Sequence, residues 1–158
     1  MKAKDVMEPI IDTLLPDTPI KEAIKQMKMA RRGQQRVGVK GMVVVDREGN
    51  LVGMFSIKDI LKAIVPEYMK TSSLEEFSWE GMLEEMAKKV ETLKVQDLMT
   101  KEVITVNEDD PLMEVASVIV KHNLQRVPVM GKEGKPVGII YVRDLYYALV
   151  KALTGEEV

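Results

Sequence analysis

Apolar positions along the chain change period in a fixed order, and the order occurs twice. Short β-branched runs at Ile10–Leu15 and Val103–Val106, bounded by polar residues, read as strands. Each is followed by a capping residue and a proline suited to the first helical position, Thr18-Pro19 and Asp110-Pro111. Apolar residues then recur at helical spacing: Ile20, Ala23, Ile24 and Met27 across about Ile20–Met29, and Val115, Val118 and Ile119 across about Leu112–Lys121. Hairpins come next. Val43–Val45, a turn at Asp46–Asn50 and Leu51–Phe55 form the first; Val127–Met130, Gly131–Lys135 and Val137–Tyr141 form the second. A closing helix begins near Ser56 and near Tyr141.

The repetition extends to individual residues. An offset of 92, from 5 to 97, lays Asp5-Val6-Met7 on Asp97-Leu98-Met99, Thr13 on Thr105, Asp17 on Asp109, Pro19 on Pro111 and Glu22 on Glu114. Beyond Gly41 the offset is 85, from 48 to 133, pairing Glu48-Gly49 with Glu133-Gly134, Val52-Gly53 with Val137-Gly138, and Asp59 with Asp144. The seven-residue difference places an insertion in the first copy, within Ala30–Gly41. The chain is a duplication. A copy of roughly 60 residues buries too little surface to be comfortable alone, which predicts two half-cores packed sheet against sheet. The expected fold is a mixed α/β (α+β) unit: two β-α-β-β-α repeats related by a pseudo-two-fold axis, with clefts between them.

Residues 66–93 match neither copy. Ser73-Leu74-Glu75-Glu76 is a capping box that should open a helix, and Trp79, Met82, Leu83, Met86, Val90 and Leu93 follow at helical spacing. That stripe packs on the protein's own core or, since it holds the single tryptophan, forms a dimer or partner contact. The division expected is 1–65, an insert at 66–93, 94–153, and a flexible tail at 154–158.

Composition narrows the chemistry. Of 158 residues, 46% are apolar and 30% charged, as in a globular domain. No apolar run approaches the ~20 residues that span a bilayer, and the polar start at Met1–Asp5 is unlike a signal peptide, so a cytoplasmic protein is expected. There is no cysteine, and His122 is the single histidine, which removes thiolate chemistry, Cys-based zinc sites and paired-histidine relays. A net charge of −2 argues against broad nucleic-acid binding. The twelve methionines read as flexible core filler. Arg31, Arg32, Arg36 and Lys40 around the insertion form a solvated loop, a phosphate clamp or a small nucleic-acid contact.

A Met at the end of the first short helix, a Thr closing the first strand, and Arg126-Val127-Pro128-Val129 before a hairpin together resemble the CBS (cystathionine-β-synthase) domain family. Gly53-Met54-Phe55-Ser56-Ile57-Lys58-Asp59 is similar to the family's glycine–hydroxyl–aspartate segment, and Gly138-Ile139-Ile140-Tyr141-Val142-Arg143-Asp144 keeps the glycine and aspartate with tyrosine in the hydroxyl position. The resemblance implies paired domains, often in flat dimers, that bind AMP, ADP, ATP or S-adenosylmethionine in their clefts. It implies an adenine slot from Ile11-Asp12 or Val103-Ile104 and from Met42 or Arg126-Val127-Pro128.

The physical chemistry of the segment agrees. A strand running into a helix start exposes unpaired amides and the positive end of the helix dipole, a natural phosphate seat. Asp59 or Asp144 can accept hydrogen bonds from adjacent ribose hydroxyls, Ser56 can reach phosphate or ribose, and Lys58 or Arg143 can supply positive charge. Ser56-x-x-Asp59 is also close to a helix cap in its own right. Tyr141 is a poor capping side chain, so Asp144 at the same place favours the ribose role. Taken repeat by repeat, the clefts are unequal. The first has Ser56, but also Asp12 where the second has Ile104, and Gly41-Met42-Val43 where the second has Arg126-Val127-Pro128. The second offers Thr100, His122, Arg126 and Arg143, with His122 alternatively a solvated helix-end residue.

The functional expectation is a non-catalytic regulatory module that needs no cofactor. It would bind an adenosine nucleotide and pass occupancy to an effector protein or to the state of a homodimer. The alternative is a dimerisation module with no ligand. An enzyme is disfavoured, since a Walker-type glycine loop and carboxylates at metal-ligand spacing are missing from the sequence.

Overall fold

The computed structural model describes residues 1–31, 38–65 and 81–156. Its elements are α1 (Ala3–Val6), β1 (Glu8–Pro9), α2 (Ile20–Met29), β2 (Gly41–Val45), β3 (Leu51–Ser56), α3 (Ile57–Ile64), α4 (Met82–Ala87), a 3-10 turn (Lys88–Val90), α5 (Val95–Leu98), β4 (Val106–Asn107), α6 (Leu112–His122), β5 (Arg126–Met130), β6 (Pro136–Tyr141) and α7 (Val142–Thr154). β2 and β3 form one antiparallel hairpin, and β1-β6-β5-β4 form a four-stranded sheet in which β4 alone pairs in parallel. Each hairpin carries a register shift before its turn, between Val44 and Val45 and between Val129 and Met130.

The two opening segments cross over. α1 and β1 lie on the second repeat: Glu8 and Pro9 pair with Ile139 and Gly138, and the Ala3 amide donates to the Asp110 carbonyl at 2.8 Å. α5 does the reciprocal on the first repeat. The Val95 amide donates to Thr18 O at 2.8 Å, and Met54 and Thr100 exchange backbone hydrogen bonds at 2.9 and 2.8 Å. The repeated glycines serve this exchange. A Cβ on Gly53 would stand 2.6 Å from Met99 Sδ and 3.0 Å from Thr100 O, and one on Gly138 would stand 2.5 Å from Met7 Sδ and 3.0 Å from Glu8 O.

The cores follow the packing rather than the sequence order. One is built on Leu14, Ile20, Met27, Val44, Phe55, Ile60 and Val95; the other on Ala3, Val106, Val115, Ile119, Val127 and Ile140. Val43, Val45 and Ile139, with Ile10, Leu51, Met54 and Tyr141 against them, join the two sheets, which is the sheet-on-sheet contact the repeat predicts. Met27, Met42 and Met86 are buried as filler. Met86 and Val90 enter the first core, with Met82 and Leu93 against it. The capping box at Ser73 and Trp79 lie outside the described residues.

Three expectations change. Ile10–Leu15 is not a strand: only Leu14 bridges to Val44, and the pairing falls at Glu8–Pro9 instead. Val103–Val106 keeps only Val106 in a strand, because Val103 and Ile104 turn into a cleft. Pro19 and Pro111 stand at the N-cap, one position earlier than expected.

Gly138→Ala forces Met7 or the Glu8 backbone away and should cost about 1–3 kcal/mol of stability, read as a lower urea midpoint at unchanged slope. An unchanged midpoint would show that the crossed contact is slack.

Candidate functional site

One cleft, open and undivided, begins where β3 turns into α3. The Ser56 amide and hydroxyl both donate to Asp59 Oδ2, at 2.8 and 3.2 Å, and the Ile57 amide donates to the Lys40 carbonyl at 2.9 Å. Asp59 Oδ1 turns the other way and accepts from Thr100 Oγ1 at 3.3 Å. One carboxylate thus caps the helix with one oxygen and presents the other beside a hydroxyl from the opposite repeat. Around this pair lies a cavity of about 380 Å³, to which the first repeat contributes Lys40, Met54, Ser56 and Lys58, and the second Val103, Ile104, Leu124, Arg126 and Pro128. Lys40, Lys58 and Arg126 outnumber Asp59 and Glu102 among its charged residues.

Arg126 is held in an unusual place. Its repeat counterpart is Gly41, and a Cβ there would stand 2.8 Å from Arg126 Nη1, so the two mates meet across the pseudo-axis and a side chain at Gly41 would require the guanidinium to shift. Arg126 Nε is buried without a hydrogen-bond partner among the described residues. An orphaned donor of this kind costs about 1–3 kcal/mol.

The counterpart cleft is divided. Ile11, Asp12, Met42 and Tyr141 line a slot of about 20 Å³, room for roughly one water. Arg31 closes it: its backbone amide donates to Asp12 Oδ2 at 2.7 Å and its guanidinium reaches Oδ1 at 3.2 Å. Glu8 stands where the other cleft has Thr100, and it accepts from Arg143 Nη2 at 2.5 Å. Arg143 also lies over the Tyr141 ring, 4.6 Å from its centroid. Outside the slot the cleft widens into a basin of about 680 Å³.

The cleft assignments by repeat are therefore corrected. Because the opening segments cross, Ser56, Lys58 and Asp59 meet Thr100, Val103, Ile104, Arg126 and Pro128, while Ile11, Asp12 and Met42 meet Tyr141. Val127 does not face a cleft; it is fully buried in the second core. His122 is exposed on the last turn of α6 and lines none of these cavities. The inference from Tyr141 also fails. Its amide donates to Asp144 Oδ2 at 2.8 Å whatever its side chain, and Lys2–Asp5 and Lys94–Asp97 do the same at 2.7 and 2.8 Å. The recurring aspartates are caps first. The sequence does not single out Asn123, Leu124 and Gln125, which line the cleft together with Lys40, one of the cations weighed as a phosphate clamp. The repeat offset held the signal, since it pairs Lys40 with Gln125 and Gly38 with Asn123, both at positive φ.

The family model for the CBS domain matches residues 3–66 and 95–151. The chain belongs to the CBS domain family. It is 30% identical over 169 residues to the uncharacterized protein MJ1426 of Methanocaldococcus jannaschii, covering 95% of this chain and 92% of that one. It is 28% identical to the inosine-5'-monophosphate dehydrogenase of the same organism, over 91% of this chain but only 23% of that enzyme. Among solved structures, the CBS-pair protein CBSX2 of Arabidopsis thaliana superposes with a TM-score of 0.74 at 23% identity, covering 96% of each chain. A CBSX2 structure in complex with AMP gives 0.69 at 23% identity, covering 95% of this chain and 97% of that one. No helix among the described residues of this CBS pair is long and apolar enough to cross a membrane.

The acidic side of the divided cleft has a pH signature. Burial pushes Asp144 up from its ordinary 3.8 to about 6, aided by the Glu8 carboxyl and opposed by the Tyr141 amide and Arg143. The folded protein then holds this proton more tightly than the unfolded chain, so stability rises as pH falls through about 6, and the gain is complete below about 4. Asp144→Asn keeps an oxygen for the Tyr141 amide and cannot ionise. It should melt above wild type at pH 7.5, and the advantage should vanish near pH 4; a pH-independent difference would contradict the burial of this carboxyl.

Proposed function

We propose that the chain is a regulatory CBS pair that binds one adenosine nucleotide in the undivided cleft and transmits occupancy through the way its repeats, or two copies of the chain, pack. The observation that carries this reading is the convergence of Asp59 Oδ1 and Thr100 Oγ1, 3.3 Å apart, in a cavity of about 380 Å³ with apolar residues and cations around them. Pockets for small ligands run about 300–1,000 Å³, lined mainly by apolar side chains with a few placed polar groups. Here the adenine lies against Val103, Ile104 and Pro128, and its edge meets backbone of the same segments. The ribose hydroxyls donate to Asp59 and pair with Thr100. The phosphate takes Ser56, Lys58 and the guanidinium of Arg126. The complex of CBSX2 with AMP supports the choice of ligand class.

Such a ligand touches both repeats at once, so it favours one relative arrangement of them over others, which is what a sensor requires. The exposed apolar side chains of α3 and α7 offer a surface for a homodimer: Leu61 is 45% exposed, Tyr146 58% and Leu153 81%, and none of the described residues of α7 is buried. Output goes to that dimer or to an effector protein. No step of chemistry is assigned to the residues in the cleft. One observation favours the second reading, a dimerisation module without ligand: capping accounts for Asp59 and Asp144 with no ribose present.

Calorimetric titration with AMP, ADP, ATP and S-adenosylmethionine separates them. A ligand at 100 times its Kd should add about 2.7 kcal/mol of stability. Asp59→Asn keeps the cap but loses the charged acceptor, and should weaken binding about tenfold or more at near-unchanged melting temperature. Saturating ligand that leaves the melting temperature unmoved would leave the dimerisation module standing.

A further inference from the structure

The divided cleft keeps one half of a nucleotide site and has lost the other. Its slot, at the place where Ile104 and Val103 line the open cleft, is filled by the Arg31–Asp12 pair and leaves about 20 Å³. Nothing flat and apolar of nucleobase size fits there. The basin outside it is different: about 680 Å³, with Lys28, Lys40, Arg126 and Arg143 in its walls and no acidic residue among the described lining. Four cations around one concave surface are conspicuous in a chain of net charge −2. Glu8 stands behind Arg143 and holds its guanidinium against the Tyr141 ring, which orients the fork without neutralising Lys28, Lys40 or Arg126.

The two cavities are also neighbours. Lys40, Gln125 and Arg126 line both, and the Arg126 guanidinium lies in the space beside Gly41. A group leaving the open cleft past Arg126 enters the basin.

We propose that the basin is an oligophosphate seat without a base pocket. Resting on the nucleotide reading of the open cleft, we assign it to the β- and γ-phosphates of a nucleotide whose base and ribose lie there. The chain then discriminates by phosphate count, triphosphate over monophosphate, and takes one nucleotide rather than two. The preference is electrostatic between partly exposed groups, so it weakens as salt rises.

The test is calorimetry with AMP, ADP, ATP and inorganic tripolyphosphate, in EDTA at low salt, on wild type and on Lys28→Ala. Lys28 is exposed and lines only the basin, so its loss should leave the fold and AMP binding alone. ATP should bind about tenfold tighter than AMP to wild type, and Lys28→Ala should cut that ratio to about threefold or less. Tripolyphosphate should bind wild type, weaken with Lys28→Ala, and compete with ATP but not with AMP. Tripolyphosphate binding that depends on Lys28 while the nucleotides show no phosphate preference keeps the seat and makes its source a free polyphosphate. If the nucleotides fail to bind and tripolyphosphate still does, the basin stands and the nucleotide reading falls. Equal affinity for AMP and ATP, with no tripolyphosphate binding, overturns the basin and leaves the open cleft untouched.

Discussion

The contact on which this molecule depends is the close approach of a methionine to a glycine across the pseudo-axis. Met7 packs on Gly138 and Met99 on Gly53, each from the opening segment of one repeat onto the hairpin of the other. A two-stranded hairpin is marginal in water by itself. Here each hairpin gains a neighbouring backbone, β1 beside β6 and Thr100 beside Met54, and each small core gains a buried residue, Ala3 or Val95, from the other half. Separating the repeats would remove part of both cores, so the pair behaves as one body.

The same crossing decides what a cleft is. Neither repeat owns one. Asp59 reaches the open cleft from α3 while Thr100 arrives with the opposite opening segment, and any ligand held by both would report on the arrangement of the whole pair. Four exchanges on an otherwise repeated scaffold then make the clefts different: Glu8 for Thr100, Asp12 for Ile104, Tyr141 for Ser56, Gly41 for Arg126. The first two bring carboxylates that recruit Arg143 and Arg31 as internal partners. The last leaves the space beside Gly41 to the Arg126 side chain. One arginine therefore serves both cavities.

Much of this was legible in the sequence, and the limits have physical causes. The duplication, the helices at Ile20–Met29 and Leu112–His122, both hairpins and both closing-helix starts follow from local period and turn chemistry. The crossing does not, because nothing near Glu8-Pro9 signals a pairing with Gly138-Ile139 so far along the chain. The strand expected at Ile10–Leu15 is apolar for another reason: Leu14 is core, Ile10 packs between the sheets and Ile11 lines the slot. The residue type at Tyr141 says nothing about whether Asp144 caps the helix, because the hydrogen bond runs through the Tyr141 amide rather than its side chain. The gathering of Ser56, Asp59, Thr100, Val103, Ile104, Arg126 and Pro128 could be anticipated residue by residue but not in its partition between clefts.

The direct measurement is a methyl NMR titration with AMP on the isotope-labelled full chain. The isoleucine and methionine methyls divide cleanly between the sites, Met54 and Ile104 in the open cleft and Ile11 and Met42 in the slot. Saturable shifts at Met54 and Ile104, with Ile11 and Met42 nearly still, are the expected result. Shifts centred on Ile11 and Met42, or equal shifts in both sets, would contradict a molecule with one nucleotide cleft.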